Sequence, residues 1–168
     1  MNTTSKLLMA TVLLLSGSVL WAQNPFRDAG AKVRGDAYWP SKAVGRGVQH
    51  ARNYAQDFQT YVAKNEKPEP SVVNDIKAQL GRYLEDSRKH LATMKKDFAE
   101  DKETLAEIKK IEDELATAIT ANQAMIACCE HEKFDKVATM SCCTDLVKQL
   151  DKIHATHQSL MHRLTSKK

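Results

Sequence analysis

The sequence predicts an all-α protein, an antiparallel up-down-up-down four-helix bundle with an extended N-terminal arm. Three observations carry that expectation. Beyond residue 40 the 168-residue chain is dominated by Ala, Lys, Glu, Leu, Asp and Gln, and aromatic residues make up only 6% of the whole, which suits helices better than strands. Apolar residues recur at spacings of three, four and seven, the period of a helix with one buried face. Polar and proline-marked breaks then divide the chain into four segments with short connections, which makes sequential helices antiparallel neighbours.

Residues 1–22 stand apart from this pattern. Lys6 precedes an apolar run from Leu7 to Leu15, followed by Ser16-Gly17-Ser18 and then Val19-Leu20-Trp21-Ala22, the arrangement of a secretory signal cleaved near Ala22. The run is too short and too interrupted to span a bilayer, and no later stretch approaches the roughly 18 apolar residues a span needs. The expectation is a secreted or periplasmic protein without stable membrane insertion, its thiols meeting an oxidising environment. Residues 23–40 carry Pro25, Gly30, Gly35 and Pro40 without periodicity and read as the extended arm, lying on the bundle through Tyr38 and Trp39. The bundle itself is expected over residues 41–168.

The first helix is expected from about Ser41 to Ala63, with Val44, Val48, Ala51, Ala55, Phe58 and Val62 on its buried face and with Gly45 and Gly47 weakening its start. A polar turn, Lys64 to Pro70, ends it, and Ser71 is the expected cap of the second helix. That helix runs to about Phe98 along the line Val73, Leu80, Ser87 and Met94, flanked by Ile76, Tyr83, Leu84, Leu91 and Phe98. Asp101 caps the third, which follows Ile108, Leu115, Asn122 and Cys129; Asn122 reads as a buried polar residue that fixes register. After a tip from Glu132 to Met140, the fourth helix runs to about Leu164 along Cys143, Leu150, His157 and Leu164.

Lys plus Arg number 25 against 21 for Asp plus Glu, a formal charge of +4, so the chain lacks the strong basic excess of a nucleic-acid binder. No Gly-rich phosphate loop, Gly-x-Ser-x-Gly elbow or Cys-x-x-Cys-His haem attachment occurs. A binding or structural protein is expected rather than an enzyme, and no protein partner is specified.

The four cysteines are the main chemical signal. Cys128-Cys129-Glu130-His131 and Met140-Ser141-Cys142-Cys143 flank one helical tip, and folding the hairpin about residue 136 sets Cys129 opposite Cys143, with Cys128 and Cys142 diverging beside them. Ser141 as a cap would put Cys142 and Cys143 in a first helical turn, where the unpaired N–H groups favour thiolate. In an exported chain four cysteines read first as two disulfides stapling the hairpin. Two bridges between adjacent pairs would strain both helices, whereas a metal ion gathers divergent sulfurs. Cys128, Cys129, Cys142 and Cys143, with His131 and Met140, therefore form a candidate set for a soft or borderline ion, Cu(I) before Zn²⁺. A redox role lacks the usual Cys-x-x-Cys spacing.

His157 lies on the core line of the fourth helix, and the expected register pairs it with Ser87 as a satisfied buried polar pair. Asp151, His154 and His157 also form Asp-x-x-His-x-x-His, a spacing a helix can present to a metal. The same register brings His50 near His154 and sets His90 one turn from Ser87, which makes a second candidate site of His50, His90, Asp151, His154 and His157.

The signal segment, the bundle, and the Cys-Cys pairs with His131 and Met140 together resemble the exported Cys- and His-rich four-helix-bundle proteins with which bacteria hold copper. The resemblance covers residues 128–143 and the architecture. It implies a Cu(I)-binding bundle, although the Cys-x-x-x-Cys rows of the copper-storage type are absent. The chain also looks like a class of exported bacterial proteins with a Cys-Cys hairpin and a His-x-x-Leu-Met segment, here His157-Gln158-Ser159-Leu160-Met161.

Overall fold

The seven-residue apolar lines all become buried seams in a computed structural model of the chain, which describes residues 35–130 and 134–166. Among the described residues there are four helices and no strand: α1 Gly35–Lys64, α2 Pro70–Asp97, α3 Lys102–Glu130 and α4 Lys136–Ser166. Helix α1 packs against α2 and α4, and α3 packs against α4 and, over a slimmer seam, against α2. Cross-helix pairs give the directions. Arg52 pairs with Asp151 and Gln59 donates to Thr144 at 2.7 Å, so α1 and α4 run antiparallel. Lys77–Glu130 at 2.7 Å and Lys95–Glu112 at 2.9 Å set α2 antiparallel to α3. The protein is a four-helix bundle, as the periodicity predicts, and none of the described helices is long and apolar enough to cross a membrane.

All six residues expected on the buried face of the first helix are buried, and so are the four-residue core lines of the other three. Phe58, Leu80, Leu91, Met94, Leu115 and Leu150 are essentially inaccessible, and full burial of such a side chain is worth about 1.5–3 kcal/mol.

The helix ends differ from expectation at three places. Helix α1 begins at Gly35, so residues 35–40 are helical and not part of an arm; Pro40 sits inside the first two turns, where its missing N–H removes at most one early hydrogen bond. Tyr38 packs on the core as expected, but Trp39 is 66% exposed. Helix α2 starts at Pro70 rather than being capped by Ser71; Glu69 is the cap residue, makes no side-chain cap bond, and gives its N–H to the Tyr61 hydroxyl at 3.1 Å. Helix α4 starts at Lys136 because the Asp135 carboxylate accepts the Ala138 N–H at 3.0 Å, which makes Asp135 and not Ser141 the cap. The third cap is as expected: Asp101 accepts the Thr104 N–H at 3.0 Å. The signal segment, the arm from 23 to 34, and His131 lie outside the described residues.

Candidate functional site

The last turn of α3 carries Cys128 and Cys129, and the second turn of α4 carries Cys142 and Cys143. The closest approach of sulfurs centres the hairpin on residue 135, one residue earlier than the sequence suggests. The facing pair is consequently Cys128 and Cys142, whose Sγ atoms lie 3.3 Å apart, and these two converge where the sequence reading has them diverge. Cys129 and Cys143 point into the core, 8% and 0% exposed, while Cys128 and Cys142 are half-buried. No two of the four sulfurs stand at disulfide distance.

Their electrostatics reverse the expected thiolate. Cys142 and Cys143 stand beyond the first turn of α4, out of reach of its unpaired N–H groups. Burial pushes Cys143 up to about 12, with the other three cysteines adding to it. Burial likewise raises Cys129 to about 11, against an opposing hydrogen bond from Thr139. Cys142 rises to about 11, again through burial first and then its contact with Cys128. At neutral pH these three are protonated thiols, which bind metal only by giving up their protons. Met140 packs on the core one turn before Cys143. Among the described residues no three His, Cys, Asp or Glu side chains stand together as a preformed metal cage.

The five residues of the second candidate site do not converge. Asp151 is held by Arg52. His50 is exposed and stacks on Tyr83 with ring centroids 5.3 Å apart. His154 is hydrogen-bonded to Gln158 at 2.8 Å, and His90 is half-buried on α2. His157 is buried as expected, but its partner is Ser41 and not Ser87. The Ser87 hydroxyl donates to the Tyr83 carbonyl at 2.8 Å and lies under Gly47. Periodicity alone starts α1 at Ser41, whereas six earlier helical residues bring Ser41 into the bundle facing α4. The remaining signal in the sequence was the Gly45 and Gly47 pair, which marks where α1 is closely approached.

His157 Nε2 is 2.9 Å from the Ser41 carbonyl oxygen, which can only accept, so the ring proton is on Nε2 and Nδ1 keeps its lone pair. The Ser41 hydroxyl, 3.2 Å from Nε2, donates to Met161 Sδ at 2.6 Å. This excludes a nucleophilic Ser–His pair as arranged: the nitrogen facing the hydroxyl already holds a proton and cannot take another as a base. Burial drives the His157 pKa down to about 4, against the Ser41 backbone bond. Compared with protein-family models, curated proteins and solved structures, the chain matches none, so its chemistry is read from its own residues.

Proposed function

We propose that the chain is an exported helical bundle that binds or buffers a soft metal ion, Cu(I) before Zn²⁺, at its cysteine-bearing end. One observation carries the reading: two facing helices bring the Cys128 and Cys142 sulfurs to 3.3 Å, with Cys129 and Cys143 one residue further along each helix. Soft sulfur donors select Cu(I) among the common ions, and a thiol pair from two rigid helices needs little rearrangement to hold one. Met140 and, at the tip, His131 are the further ligands in this reading. The role is binding, not catalysis.

The test is the mass of the mature protein purified from the compartment to which it is exported. The expected result is four alkylatable thiols after denaturation and a native mass excess equal to one or more metal ions. The Cys128→Ser/Cys142→Ser double variant should lose stoichiometric Cu(I) binding; unchanged stoichiometry rejects the site. The same 3.3 Å approach favours a second reading, a structural bundle stapled by a Cys128–Cys142 disulfide, since closing to a bond of about 2.05 Å asks for a shift of only about 1 Å. A denatured mass two hydrogens light, with two cysteines resisting alkylation, selects that reading. Its reduction should cost about 3 kcal/mol of stability, as for a loop of about 15 residues.

A further inference from the structure

At the end of the bundle away from the cysteines, a cavity of about 520 Å³ opens between the first half of α1 and the last turns of α4. Sites for small organic ligands fall between about 300 and 1,000 Å³ and combine apolar walls with a few placed polar groups. Here the walls are mostly carbon, supplied by Met161, the backbone at Gly45 and the stems of Lys42, Arg46 and Gln49. The inner wall is the His157 imidazole. A Cβ at Gly45 would lie 2.9 Å from its Cε1 and 3.2 Å from its Nδ1, so only glycine lets the ring lie this close to α1. Nδ1 keeps its lone pair, has no hydrogen-bond partner among the described residues and lies beside Gly45, in a residue only 6% exposed.

Among the described residues the charges around the opening have one sign. Lys42 and Arg46 stand one turn apart on α1, and no Asp or Glu is among the described residues that line the cavity. Arg46 is exposed and makes no hydrogen bond or ion pair among the described residues, while Asp151, further along α4, is held by Arg52. His157 is neutral, so positive charge sits at the mouth and not in the depth. A metal is a poor fit, because the Met161 sulfur accepts from Ser41 and His154 is tied to Gln158.

We propose that this cavity binds a small amphipathic carboxylate, with the apolar body against the carbon walls and the carboxylate at the Arg46 fork. A planar carboxylate matches the guanidinium in two parallel hydrogen bonds, which a compact ammonium does not offer. A saturated fatty acid of medium length is the simplest member of the class.

The experiment is calorimetric titration of decanoate into the mature protein, beside decanol and decyltrimethylammonium, with the His157 ring followed by NMR. Saturable one-to-one binding of decanoate is expected, about tenfold or more tighter than decanol, with the His157 signals moving along the same isotherm. Arg46→Glu, at an exposed position that leaves the core intact, should weaken decanoate about tenfold more than it weakens decanol, which loses only the wall that the Arg46 stem supplies. No saturable decanoate binding overturns the proposal. So does binding that ignores the charge reversal, is matched by the cationic analogue, or leaves His157 unmoved.

Discussion

At His157 three effects compete, and burial wins. Loss of water disfavours the imidazolium most, the bond to the Ser41 carbonyl favours it, and the positive surroundings of His154 on α4 and Lys42 on α1 disfavour it again. A ring whose folded pKa is depressed from 6.5 to about 4 stays neutral in the native state while the unfolded chain takes up a proton. The sign follows: the stabilisation is fully present above about pH 6.5 and is lost as pH falls toward 4. At its limit the loss is about 3 kcal/mol, taking 1.36 kcal/mol for each pKa unit. Urea titrations should therefore show the unfolding free energy dropping between pH 6.5 and 4. His157→Gln should be less stable at pH 7 and should flatten that segment of the profile. An unchanged slope in the variant would show that another group titrates there.

At the scale of the helix, α1 and α2 approach each other at a glycine. A Cβ on Gly47 would collide with the Ser87 hydroxyl and come within 3.3 Å of the Tyr83 carbonyl, whereas a Cβ on Gly81 of α2 meets nothing within 4 Å. Inside an open helix face, Gly→Ala gains about 0.5–1 kcal/mol, and forcing a group into a packed seam costs about 1–3 kcal/mol. Gly81→Ala should therefore raise the urea midpoint and Gly47→Ala should lower it. Adding Ser87→Ala to Gly47→Ala should recover part of the loss, because the Ser87 Cβ lies at an ordinary 3.7 Å while the Tyr83 carbonyl remains close. Composition and spacing made the element types and the core lines legible, since a face that must be buried repeats every three or four residues. The start of α1 was hidden because prolines and glycines read as coil, yet a helix carries Pro40 near its beginning and needs Gly45 and Gly47 for close contact. The same mechanism displaced the candidate site. Asp135, not Ser141, caps α4, and one residue of register decides which cysteines face each other. Ser41 as the partner of His157 depends on helix–helix rotation, which seven-residue spacing constrains only loosely.

Across the whole molecule, α4 carries both ends' chemistry on one buried line. From Cys143 to His157 is about 21 Å of helix, at 1.5 Å per residue. Between them Leu146, Leu150 and Ile153 are wholly buried. Such packing resists continuous deformation, and coupling between distant sites needs an element with two alternative arrangements. Four helices locked by interdigitated side chains offer none along this stretch. Cys143→Ala and His157→Gln should each destabilise the bundle, the first by about 1 kcal/mol through a small cavity and the second through lost packing of the buried imidazole, since Gln keeps a donor for the Ser41 carbonyl. Because the two sites share no partner and stand well beyond 10 Å apart, the double variant should lose the sum of the two within about 0.5 kcal/mol. Chemical unfolding of the four proteins at pH 7 closes that cycle. Additivity means that Cys143 and His157 contribute independently to the stability of the bundle. A coupling above about 1 kcal/mol would mean instead that α4 shifts as a unit, so that a change at one end is felt at the other.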